Sequence, residues 1–132
     1  MAVSDARSLP IAVHVASASP HEVGLVEVTL ARTHTTTYPA HLIGDRAYDF
    51  DALDERLARR GVMLIAPNRA NRINRTQDRR SLRRYKRRWV IERLFAWLKN
   101  FRRLVIRYEY YGENFLAFVQ LGCILILLKQ FH

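Results

Sequence analysis

Apolar residues fall into two rhythms along the chain, and the change of rhythm divides it. In the first half they come as short blocks between polar turns. Residues 1–5 read as the end of a strand, residues 6–9 as a short turn and residues 10–18 as a second strand, so the pair predicts a hairpin. Ser19 stands as a cap before Pro20 at the first helical position, and Val23, Val26 and Leu30 recur at helical spacing, which predicts a helix to about Arg32. His41, Leu42 and Ile43 form a brief apolar block closed by Gly44 and Asp45, a buried strand with the aspartate at its C-terminal edge. Phe50, Leu53 and Leu57 mark a further helix ended by Gly61, and residues 62–66 a further buried strand stopped by Pro67. Helices between the later strands require those strands to run in parallel. The order therefore predicts an α/β layer: a mixed β-sheet with one antiparallel hairpin, flanked by helices.

After residue 66 the period changes. Residues 67–82 are polar and basic without apolar periodicity and predict a loop that orders on a polyanion. Residues 83–107 predict one long helix and residues 113–131 a second, so the fold class is α/β with two long C-terminal helices. The strongly apolar run 115–128 is shorter than the roughly 20 residues of a spanning helix, which favours a buried helix over a membrane segment. With no repeat or low-complexity stretch, 132 residues predict a single domain in three parts, 1–66, 67–82 and 83–132.

Charge narrows the choice of partner. The formal charge is +10, and from Arg69 to Arg107 the only acids are Asp78 and Glu92. Such a surface repels its own kind unless a polyanion neutralises it, so nucleic acid is the expected partner. A solvated arginine-rich helix is the competing structural reading. The single cysteine, Cys123, excludes an intrachain disulfide and fits a reducing compartment. No cationic and apolar leader of secretory type opens the chain. His14, His21, His34, His41 and His132 show no metal-ligand spacing. Asp49, Asp51, Asp54 and Glu55 fall at a helix start, where the helix dipole favours acids, and read as structural.

The first long helix carries the candidate chemistry. At about 100° per residue, Tyr85, Arg88, Glu92 and Lys99 fall within about 60° of one another. Val90, Ile91, Leu94, Trp97, Leu98, Phe101, Leu104 and Val105 cluster on the opposite side as a core stripe. Glu92 is thus set among cations, either as a surface ion-pair acceptor or as a functional carboxylate.

The spacing Tyr85, two residues, Arg88, three, Glu92, six, Lys99 resembles the Tyr-Arg-Glu-Lys signature of bacterial insertion-sequence transposases of the DDE class. Residues 87–103 are similar to that family's helix throughout, residues 44–49 (Gly-Asp-Arg-Ala-Tyr-Asp) to the segment with its second catalytic aspartate, and residues 9–12 and 18–22 to its hairpin and following helix. The resemblance implies a ribonuclease-H-like fold in which two aspartates and a glutamate hold divalent metal, Mg2+ or Mn2+. Asp45 and Glu92 are the two ligands it carries over. Carboxylates suit the task, because two hard cations about 4 Å apart can activate a nucleophile and stabilise the leaving oxygen of a phosphodiester. Arg84, Arg87, Arg88, Lys99 and Arg103 are then phosphate-neutralising residues, and Tyr85 stacks on a base or donates a hydrogen bond.

In the family the first catalytic aspartate lies on a central strand before the hairpin, upstream of the residues in this sequence. Asp5 matches the family's hairpin-turn aspartate rather than a ligand, and Ser8 stands where a turn glycine is usual. The expectation is a truncated ribonuclease-H-like unit that neither cleaves nor joins DNA alone, with metal expected only at a completed site. The expected partners are DNA, the missing N-terminal segment or a second copy, and no membrane; the expected location is the bacterial cytoplasm, with the nucleoid. The alternative is a non-catalytic DNA-binding or regulatory fragment acting through its basic helix.

Overall fold

A computed structural model describes residues 1–77 and 79–131. Asp78 and His132 lie outside the described residues, and with them one acid of the basic run and one of the five histidines. The chain starts with a hairpin, β1 (Ala2–Ser4) antiparallel to β2 (Pro10–Val13), with Ala2 opposite Val13 and an irregularity after Val3. Asp5 builds the turn: its carboxylate accepts from the amides of Arg7 and Leu9, both at 2.8 Å. Ser8 adopts φ 71°, the left-handed region that explains the family's glycine there. The second strand is thus shorter than the 10–18 run predicted.

Helix α1 (Glu22–Leu30) starts two residues later than the Ser19-Pro20 pair predicts, because His21 is the cap, its Nδ1 accepting from the Val23 amide at 3.4 Å. β3 (His41–Ile43) and β4 (Met63–Ile65) pair in parallel, His41 opposite Met63 and Ile43 opposite Ile65. Between them runs α2 (Asp51–Ala58), after which Gly61 supplies the left-handed residue, φ 74°, that turns the chain into β4. The α/β class holds. The single mixed sheet does not: among the described residues β1 pairs only with β2, and β3 only with β4, giving two half-sheets.

The predicted helix over 83–107 is also corrected. Helical structure begins earlier, in α3 (Arg79–Tyr85), inside the stretch expected to be loop. It tightens to a 3₁₀ turn at Lys86–Arg88, continues as α4 (Trp89–Leu98) and stops where Phe101 becomes extended, with a short α5 (Arg102–Val105) beyond. Phe101 and Leu104 gain contact with the last helix by that break, and this burial overrides the helical propensity of the segment.

The last helix, α6 (Gly112–Leu128), continues in a 3₁₀ turn, Lys129–Phe131. The run Gly112–Phe131 is 20 residues, so by length and composition it could cross a membrane, which the apolar stretch 115–128 alone did not indicate. The expectation of a buried helix holds for one face: Gly122, Cys123 and Ile126 are buried, and the opposite face is exposed.

Two cores result. One joins the hairpin to α4 and α6 through Leu9, Val13, Leu94, Leu98, Cys123 and Ile126. The other joins α1, α2 and β4 through Val26, Leu30, Leu53, Leu57, Val62 and Leu64. β1 lies between, Ala2 against the first core and Val3 against the second, as alternation along a strand requires.

Candidate active site

β3 ends in the Gly44-Asp45 step, and Asp45 caps the 3₁₀ turn Arg46–Tyr48, its Oδ1 accepting from the Ala47 amide at 2.8 Å. Gly44 is required by the Tyr48 ring, which folds back so closely that a Cβ at position 44 would lie 2.8 Å from Cδ2. The Tyr48 hydroxyl donates to Glu22 Oε2 at 3.4 Å. Burial, then the negative charges of Glu22 and Asp45, push its pKa up to about 12, so it stays a donor.

Glu92 sits on the exposed side of α4, as the wheel requires. Arg88 Nη2 lies 3.3 Å from its Oε1, and Arg88 Nη1 donates to the Tyr85 hydroxyl at 3.0 Å. Tyr85, Arg88 and Glu92 are therefore one connected set. Lys99 is not part of it. It is exposed as the C-cap of α4, one residue past the last helical turn. Arg103 is also apart, its guanidinium held by Glu109 at 2.8 Å and set against the rings of Tyr108 and Phe118.

The remaining candidates converge on a groove between the two half-sheets. A cavity of about 320 Å³ is lined by β1, β3 and the side chains of Arg84, Arg87 and Arg88. A second, of about 520 Å³, is lined by the same two strands and by Asp45, Glu92, Arg88, Tyr48 and Glu22. The two share Ala2, Val3, Leu42, Ile43, Arg88 and Ile91, so they are lobes of one groove. Asp45 and Glu92, far apart in sequence, thus face the same space. Their oxygens are of the hard type that suits Mg2+, but the set is short: among the described residues no three His, Cys, Asp or Glu side chains are close enough to share a metal ion.

Several site residues were not found from sequence. Glu22 and Tyr48 line the groove; both lie in segments that resemble the family's, but neither stands out there as a site residue. Arg93, next to Glu92, reaches back to the hairpin, donating from Nε to Ser8 Oγ and from Nη2 to the Arg7 carbonyl, each at 2.8 Å, with its guanidinium over both Trp89 and Trp97. Trp97 is half-buried on the core side as expected, and Trp89 is exposed. Asp49 is more than a dipole-matching acid. Its buried carboxylate accepts from Asn68 Nδ2 at 3.2 Å and from the Arg69 amide at 2.7 Å, and pairs with Arg72, which also grips Asp51. Part of the predicted loop is therefore fastened to the junction between the 3₁₀ turn Arg46–Tyr48 and the start of α2.

Comparison with known proteins shows the family of the chain. The chain matches the family described as Transposase DDE domain over residues 1–128. It is 33% identical over 132 residues to a protein assigned as the transposase of insertion sequence element IS402 from Burkholderia cepacia, covering 94% of this chain and 59% of that one. It is 35% identical over 89 residues to a counterpart for element IS6501 from Brucella ovis, covering 67% of this chain and 68% of that one. No solved structure matches. The chain spans only about three fifths of the IS402 relative, yet nearly all of it falls within the domain, and it belongs to the family of insertion-sequence DDE transposases.

Proposed function

We propose that the chain is part of a ribonuclease-H-like catalytic domain that cleaves and transfers DNA strands, and that Asp45 and Glu92 are two of its metal-binding carboxylates. The observation that carries this reading is their convergence on one groove, walled by the edges of β1 and β3 that have no strand partner among the described residues. A strand laid in that groove would hydrogen bond on both sides, join the half-sheets and bring a third carboxylate to the pair. A bound divalent metal would there neutralise a phosphodiester and activate its nucleophile. The chain's own residues do the rest. Asp45 is held by its cap, Arg88 keeps the Glu92 side chain on the groove side, and Arg84 and Arg87 offer guanidinium groups to DNA phosphates entering along the adjoining lobe. DNA is the partner, and the bacterial cytoplasm the place of action.

With two carboxylates the chain alone coordinates metal weakly and performs no strand transfer. Mn2+ binding followed by electron paramagnetic resonance should weaken in Asp45→Asn and in Glu92→Gln while DNA affinity is retained. Arg84→Ala and Arg87→Ala should each weaken DNA binding and lower its salt slope by about one. Strand transfer by the unaided chain would overturn the incomplete site. Mn2+ binding unaffected by either carboxylate change would favour the second reading, a purely DNA-binding fragment, for which the exposed arginines of α3 are the supporting observation.

A further inference from the structure

The link between α5 and α6, residues 106–111, turns three tyrosines to solvent and is nonetheless firmly built. Tyr108, Tyr110 and Tyr111 are exposed by 71%, 88% and 67%. Arg107 folds back along the link, donating from Nε to the Glu109 carbonyl at 2.8 Å and from Nη2 to the Tyr110 carbonyl at 3.0 Å, with its guanidinium over the Phe115 ring. Arg103 donates to Glu109 Oε1 at 2.8 Å, and that carboxylate side chain is only 7% exposed. Two arginines therefore hold the backbone and the one acid of the link, while the rings stay outside. Tyr110 and Tyr111 meet edge to face with centroids 5.1 Å apart, which fixes their relative tilt. None of these residues lines either lobe of the groove.

We propose that this link is a second nucleic-acid subsite, a stacking platform for the unpaired bases of a DNA single strand. Protruding aromatic rings are covered best by flat partners, and a single strand offers one at every nucleotide. The surround selects a polyanion. Arg102, Arg103 and Arg107 are exposed, Glu109 is withdrawn into its pair with Arg103, and the next acid along the chain, Glu113, lies in the first turn of α6. Phosphates joining the stacked bases thus meet compensating charge beside the rings. Strandedness follows from geometry. A base inside a duplex has both faces covered by its neighbours, so the rings reach only bases that are unpaired. Because the link is held by its arginines before any strand arrives, little of the stacking energy goes into ordering it. The subsite rests on DNA as the partner of the chain, but neither on the carboxylates of the groove nor on Arg84 and Arg87.

Fluorescence anisotropy of a labelled single strand of about 20 nucleotides, and of the duplex of the same sequence, each titrated with the full chain, tests the assignment. The parent should bind both. The Tyr110→Leu, Tyr111→Leu double variant should keep the far-ultraviolet circular dichroism of the parent. It should lose about ten-fold in affinity for the single strand and less than about two-fold for the duplex. The Tyr110→Phe, Tyr111→Phe variant should retain both affinities, because stacking uses the ring and not the hydroxyl. Unchanged single-strand affinity in the leucine variant, or equal losses for single strand and duplex, overturns the platform. So does a loss in the phenylalanine variant as large as in the leucine variant, which would assign the contact to the hydroxyl groups. A parent that binds duplex but no single strand removes the subsite and leaves DNA as the partner, whereas a parent that binds neither removes both.

Discussion

The bond between Ser8 and Arg93 joins residues 85 positions apart and sets up a prediction with a change of sign. Ser8 is fully buried and holds φ 71°, a conformation costing a non-glycine residue about 1 kcal/mol. In return its hydroxyl accepts a charge-assisted hydrogen bond from Arg93, an interaction of about 1.5–3 kcal/mol. Ser8→Gly in the parent relieves the strain and loses the bond, for a net loss of about 1 kcal/mol. Arg93→Met keeps the apolar stem but removes both hydrogen bonds and the stacking over Trp89 and Trp97, and leaves a buried hydroxyl without its donor, for a loss of about 3 kcal/mol. In that background Ser8→Gly removes strain and orphaned hydroxyl together, so it should stabilise by about 1 kcal/mol. The coupling energy is therefore about 2 kcal/mol. Urea unfolding of the four proteins, followed by tryptophan fluorescence and by circular dichroism, measures it. If Ser8→Gly moves the midpoint in the same direction in both backgrounds, the proposed exchange of strain for a hydrogen bond is wrong.

Three further outcomes follow from the packing. Asp49→Asn takes the charge from a carboxylate that is 1% exposed and faces Arg72, so it should cost about 3 kcal/mol and speed amide hydrogen exchange in residues 67–77. Asp54 has its pKa raised to about 6 by burial and by the negative charges of Asp51 and Asp49, so the native state holds its proton where the unfolded chain has lost it. That contribution to stability is present below about pH 4 and lost as pH rises to about 6, and Asp54→Asn should outlast the parent in urea at pH 7.5 but not at pH 4. At Gly122 the added methyl of alanine meets Leu98 and Leu104 at 3.0–3.3 Å, which the helical gain of about 1 kcal/mol offsets, whereas Gly122→Val should lose about 2 kcal/mol in thermal unfolding.

Local patterns in the sequence were enough to find the elements, because each apolar block or helical stripe is bounded by its own punctuation, such as Gly61 before β4 and Pro67 after it. They also put Asp45 at a strand end and Glu92 on the side of α4 away from Leu94. What they could not supply was set by contacts between distant residues. Phe101 breaks a helix that its own neighbours would continue, because its ring is better placed against α6. Asp49 looked like an ordinary first-turn acid until Asn68, Arg69 and Arg72 folded over it. Lys99 shares a helical wheel with Tyr85, yet the 3₁₀ turn at Lys86–Arg88 changes the phase and α4 ends before it. The pairing of the strands was the least legible property: parallel or antiparallel character follows from the connections, but whether β1 reaches β3 depends on what lies between them.

That interruption has a mechanical consequence. Asp45 travels with β3 and the core around α2, while Glu92 travels with α4 and the core beneath the hairpin. Among the described residues no backbone ladder spans the two, so their separation is fixed by side-chain packing and by a few hydrogen bonds, such as that from the His34 amide to the Ile11 carbonyl. Any ligand that needs both carboxylates at a set distance must first align two semi-independent halves, and its observed affinity is lowered by the work of that alignment. A strand bridging the halves would do this work once, in advance, so that assembly of the sheet and readiness of the site become the same event.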